Sequence, residues 1–124
     1  MNNLAGRPPL HDDQFMATHP IDAITAAADH HHVLLENDRV RILDTCVKPG
    51  ERTPVHAHEW PAALYVLSWS DFIRRGPDGR VMADSRQRKM GAPAAGLWLE
   101  PLPPHSIENV GDCDLRIIAV EVKG

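Results

Sequence analysis

An all-β fold, a barrel or sandwich of short strands, is the class this chain predicts, and three observations predict it. Brief apolar or alternating segments recur at short, regular spacing with turn residues between them. Proline and glycine are plentiful, 11 and 8 respectively in 124 residues, which suits strands joined by turns and disfavours a helical bundle. The length fits one domain large enough to bury a real core.

The elements follow in order. Residues 1–20 read as a polar, proline-rich arm that includes "GRPPLHDDQ" and closes at Pro20. "PIDAITAAADHHH" suits a short helix, with Pro20 in its first turn and alanines inside. Residues 1–32 are therefore read as an N-terminal arm, partly flexible or helical, and residues 33–124 as the barrel. From Val33 the pattern changes: "VLLENDRVRILDTCVKPG" alternates Val40, Ile42 and Asp44 with Arg39, Arg41 and Leu43, then ends in a Pro-Gly turn. "AALYVLSW" is a nearly unbroken apolar strand. "DFIRRGPDGRVMADS" reads as a hairpin around "GPDG". "AGLWLE", "HSIENV" and "DLRIIAVEVK" complete the set, with Gly111 and Asp112 as a further turn. Roughly eight strands so spaced suggest a sandwich or jelly-roll barrel.

Composition narrows the function classes. The net charge of -4 and the interspersed acids and bases give no basic stripe, so nucleic acid is not an expected partner. No apolar run approaches the roughly 20 residues that span a bilayer, so no membrane partner is expected. The amino terminus lacks the basic start and apolar stretch of a secretory signal. A cytoplasmic protein with Cys46 and Cys113 reduced is the expectation, a disulfide or a catalytic thiol the alternative.

The histidines carry the chemistry. In an extended strand residues i and i+2 share a face, so His56 and His58 in "PVHAHEW" can aim at one metal ion. A pair of half-exposed imidazoles at a strand end is the competing reading. His105 stands in a telling context, "EPLPPHSIENVG", where prolines fix the entry of its strand. "DHHH", Asp29 to His32, reads as a polar edge, with a second metal site as the alternative.

"PGERTPVHAHEWPAALYVLS" followed by "LPPHSIENVG" resembles the two motifs of the cupin superfamily, over about Val33 to Val122. Gly50, five residues, then His56 and His58 match the first motif; Pro101, Pro104, His105 and Asn109 match the second. The resemblance implies a double-stranded β-helix, or jelly-roll barrel, and the ligand set His56, His58 and His105. It also exposes departures. The first motif's glutamate falls where this chain has Ala62 or Ala63, its closing glycine is absent around Ser68–Ser70, and Leu102 replaces a glycine of the second.

Three neutral imidazoles suffice to hold a divalent transition metal; Fe(II) is favoured, with Zn, Ni, Mn and Cu as alternatives. Without the carboxylate the ion keeps its full charge, which suits an anionic, bidentate small-molecule substrate. The group of cupin oxygenases with three-histidine iron makes a small-molecule dioxygenase the preferred function. A non-catalytic ligand- or metal-binding cupin, or a metal-dependent isomerase or hydrolase, is the alternative. Glu59 should point away from the metal by strand parity. Glu100 can orient an imidazole or pair with an arginine. Tyr65 can donate to a bound oxygen species or pack on the opposite face. A homodimer is expected, with the arm crossing to cover a partner's strand edge.

Overall fold

The structure, a computed structural model, describes residues 21–87 and 95–124. The first twenty residues of the expected arm lie outside them. Of the helix expected from Pro20 onwards, a single turn forms, α1 (Ala23–Ala26). Asp22 caps it, its carboxylate accepting from the Ile24 N–H at 3.2 Å, as an N-cap aspartate should. The turn goes no further because the chain bends at Ala27 into the first strand.

Nine strands follow among the described residues: β1 (His31–Glu36), β2 (Val40–Val47), β3 (His56–His58), β4 (Ala62–Ser68), β5 (Phe72–Arg75), β6 (Val81–Asp84), β7 (Gly96–Leu99), β8 (Leu102–Asn109) and β9 (Leu115–Val122). They form two antiparallel sheets, ordered β1-β2-β9-β4-β7 and β3-β8-β5-β6. Long-range crossing between sheets is the jelly-roll pattern. β1 starts at His31, so two of the three consecutive histidines belong to a strand rather than to the arm.

Turn chemistry matches the sequence. The "KPG" turn closes with Glu51 N–H on the Lys48 carbonyl at 2.9 Å, and Gly50 sits at φ 82°, the left-handed position a proline-led type II turn reserves for glycine. Between β5 and β6 the "GPDG" hairpin pairs Ile73 with Asp84 and Arg74 with Ala83.

The core is compact. Leu43, Ala62 and Ala119 form a buried cluster against which Ile24 and Leu64 pack. At the other end Asn109 acts as a staple. Its amide donates to the carbonyls of Val47 at 2.8 Å and Cys113 at 2.7 Å, and its oxygen accepts from Ser70 and from the Gly111 N–H. A side chain at Gly111 would meet Ser70 Oγ at 2.1 Å, so that close approach requires glycine. One buried asparagine thus holds the ends of β2 and β8 and the turn into β9 together.

Candidate metal centre

β3 and β8 pair in a way that brings three histidines together. His56 lies opposite His105, but His58 lies opposite Leu102, so β8 carries one extra residue between these pairs. Pro103 and Pro104 occupy that irregular stretch, where a strand most readily dispenses with N–H donors. The His56 and His105 rings are 4.5 Å apart, His56 and His58 5.1 Å, and His58 and His105 5.6 Å, centre to centre.

A fourth ring joins them from β1. His31 is 4.7 Å from His56 and 5.4 Å from His58. The ligand atoms of His31, His56 and His58 all lie within 4.8 Å of one another. Two nitrogens bound at ~2.1 Å to one ion are at most about 4.2 Å apart, so these three atoms stand near the separation that one ion requires; His105 falls outside this group of three, although its ring is 4.5 Å from that of His56.

The nitrogen left over in each ring is the same one. His31 Nδ1 donates to the Ala27 carbonyl at 3.0 Å, His56 Nδ1 to Pro54 at 2.8 Å and His105 Nδ1 to Pro103 at 2.8 Å. His58 Nδ1 donates to Glu121 Oε2 at 3.2 Å. A carbonyl or carboxylate can only accept, so each Nδ1 holds the proton and each Nε2 keeps its lone pair. This is the tethering that metal-bound imidazoles show. The donor set fits a divalent transition metal.

Glu121 belongs to a buried chain of charges. Arg41 Nε donates to Glu121 Oε1 at 2.5 Å, and its two terminal nitrogens hold Asp22 at 3.0 and 3.3 Å. The Arg41 guanidinium also lies 4.9 Å over the Trp60 ring. Burial pushes the Glu121 carboxyl up, yet hydrogen bonds from His58 and Arg41 outweigh it and hold its pKa low. For the rings, burial is the leading cause in the opposite direction. It depresses His31 to about 3, His56 to about 2 and His105 to about 4. All three are neutral at physiological pH, the form that binds metal.

No family model matches this chain, and no curated protein sequence does. Solved structures do match its fold. A cupin domain from Bordetella pertussis Tohama I superposes with a TM-score of 0.60 at 18% identity, covering 76% of this chain and 92% of that one. A double-stranded β-helix protein from Klebsiella pneumoniae gives a TM-score of 0.54 at 19% identity over 76% of each chain. The polyketide cyclase RemF from Streptomyces resistomycificus gives 0.52 at 21% identity, over 95% of this chain and 80% of its own. The chain has the cupin fold.

Within the cupin barrel the vacant glutamate position is informative. Ala62 is inward and buried, and it pairs directly with Glu121 on β9. A carboxylate therefore reaches the histidines from the neighbouring strand, behind His58 rather than beside it. Ala63 is exposed on the outer face, which excludes it as the glutamate's place.

The other candidates lie away from the cluster. Tyr65 is exposed on the same outer face as Ala63, as alternation along β4 requires. Glu100 accepts from the exposed Trp98 indole at 2.5 Å, so in this structure it orients that ring and not an imidazole. "DHHH" is not a uniform polar edge, and among the described residues it forms no metal-ligand cluster of its own. His31 is buried and joins the one cluster, while His30 Nδ1 meets the Cys46 carbonyl at 3.0 Å and His32 is exposed. Glu121, Arg41 and Asp22 were not legible as site residues, and His31 was legible only within the alternative of a separate site at "DHHH". Strand alternation hints at the inward direction of His31, but nothing local says which histidines it will meet. No helix among the described residues is long and apolar enough to cross a membrane.

Proposed function

We propose that this cupin barrel is a metal-dependent enzyme acting on a small, anionic, chelating carbonyl compound, with His31, His56, His58 and His105 holding the ion. One observation carries the reading: His31 and His105 each pack against both His56 and His58, and all four rings have Nδ1 engaged by an acceptor, leaving four Nε2 lone pairs. Bound there, a divalent ion would stabilise an enolate as a Lewis acid, and four imidazoles on a six-coordinate ion leave two positions, enough for a chelating dicarbonyl.

The chain's own groups do the rest. The backbone carbonyls of Ala27, Pro54 and Pro103 fix ring orientation, and Glu121 fixes His58 and raises its basicity as a ligand. Arg41 keeps Glu121 ionised at a buried position. RemF, of the same fold, is a polyketide cyclase, which favours carbon-acid chemistry here. Should His31 stand aside, the three-histidine set His56, His58 and His105 leaves three positions and an Fe(II) dioxygenase becomes the second reading.

Two measurements on purified protein decide between them. Metal analysis should give one divalent ion per chain, lost in His58→Ala. With zinc or nickel loaded, acetylacetone should exchange its α-protons for deuterium faster than with the metal-free chain. With Fe(II) loaded, oxygen consumption should stay at background. Oxygen uptake coupled to acetylacetone loss would establish the dioxygenase, and a chain that binds no metal would sink both readings.

A further inference from the structure

The β5–β8 pairing sets Arg74 opposite Ile107. Directly opposed residues in antiparallel strands share a face, and Ile107 is two residues from His105, so Arg74 stands on the inward face beside the ring cluster. Its neighbours face the other way: outside, Arg75 pairs with Glu108 and Arg86 with Asp84. Arg74 is half-buried, and no carboxylate among the described residues forms an ion pair with it. The other inward guanidinium, Arg41, is spent on Asp22 and Glu121.

The strand face on either side of Arg74 is apolar and incompletely closed. Phe72, two residues before it, and Ile107, directly opposite, share its face by strand alternation, and both are half-buried rather than buried. A half-buried guanidinium flanked by apolar side chains, with no ion pair among the described residues, lacks full hydration, so an incoming anion relieves it. Its planar fork matches a carboxylate with two parallel hydrogen bonds.

We propose that Arg74 anchors the carboxylate of the molecule this barrel binds, and that the ligand is therefore a small apolar acid. This rests on the proposed function only in taking the barrel interior as the ligand site, because Arg74 attracts a carboxylate with or without an ion beside it.

Calorimetric titration of the full chain with salicylate and with its neutral counterpart salicylamide tests it, in metal-loaded and chelator-treated protein. The intact chain should prefer salicylate in both states. Arg74→Ala should weaken salicylate at least about tenfold, the scale of a lost charge-assisted hydrogen bond, and leave salicylamide within about twofold. Arg74→Lys should recover part of the loss, since a point charge replaces the fork. Arg74→Gln, which keeps the stem, is the variant to use if the alanine chain does not fold. Equal affinity for the two compounds, equal loss of both on substitution, or no salicylate binding at millimolar concentration overturns the proposal. A preference for salicylate that survives in metal-free protein supports Arg74 even where metal analysis rejects the centre, so the two readings fail separately.

Discussion

Arg41 is fully buried, a position that a guanidinium occupies only when its donors are met. Here Asp22 takes the terminal nitrogens, Glu121 takes Nε, and the Trp60 face covers the plane. The consequence reaches the histidines, because the second oxygen of Glu121 accepts a hydrogen bond from His58 Nδ1. Glu121→Gln should expose this dependence. An amide has one acceptor oxygen, while Arg41 and His58 both present donors, so one of them must face an NH2 group. We expect zinc affinity, read by competition with a chromophoric chelator, to fall about 10- to 100-fold, together with a lower melting temperature. Unchanged affinity with a lowered melting point would show that Glu121 serves the fold alone.

At the scale of the element, β4 shows how alternation sorts neighbours with identical side chains. Ala62 is buried against Leu43 and Ala119, whereas Ala63 faces out, opposite Trp98. Placing the missing glutamate at either site has opposite consequences. Ala63→Glu should leave metal binding and melting temperature nearly unchanged. Ala62→Glu puts a second carboxylate against Glu121 in a packed layer, and should cost the metal-free chain about 1–3 kcal/mol from overpacking alone. A divalent ion, by accepting the new carboxylate, should restore part of that stability. Thermal melts of both variants with and without zinc are the measurement, and equal behaviour of the two would contradict the strand's orientation. The motif's position was readable from spacing; its side of the sheet followed from parity once Ala62 was known to be buried.

For the whole molecule, the neutral rings tie stability to pH. His31, His56 and His105 fall from an ordinary 6.5 to about 3, 2 and 4 in the folded chain. The unfolded chain therefore takes up protons first as pH falls. In metal-free protein the stabilisation is complete above pH 6.5 and is lost progressively as the pH drops toward the folded values. Urea unfolding of chelator-treated protein should show a steady decline from about pH 7 to pH 5; a flat or rising profile in that window would contradict buried neutral rings. Assembly belongs to the same scale. β1 lies at the edge of the larger sheet, and Val33, Leu34 and Leu35 along it are exposed, an edge that invites pairing. We expect a homodimer through this edge, and Leu34→Glu should shift sedimentation to the monomer.

By itself the sequence determined the strand-and-turn grammar, the "KPG" and "GPDG" turns, and the inward pair His56 and His58. Those features are local: turn residues dictate backbone angles, and period-two alternation dictates faces. Its motif spacing also reached His105 and Asn109, because a recurring pattern encodes contacts that a single segment does not. Only the tertiary structure decided that His31, from a segment that reads as a polar edge, enters the same cluster. It also decided that the carboxylate reaching His58 is Glu121, and that Arg41 pairs with acids while Arg74 forms no ion pair among the described residues. Each of those depends on which strands are neighbours, β1 beside β2, β9 beside β4, β5 beside β8. Strand neighbours are chosen by the burial of many side chains at once, and no window of the sequence contains that sum.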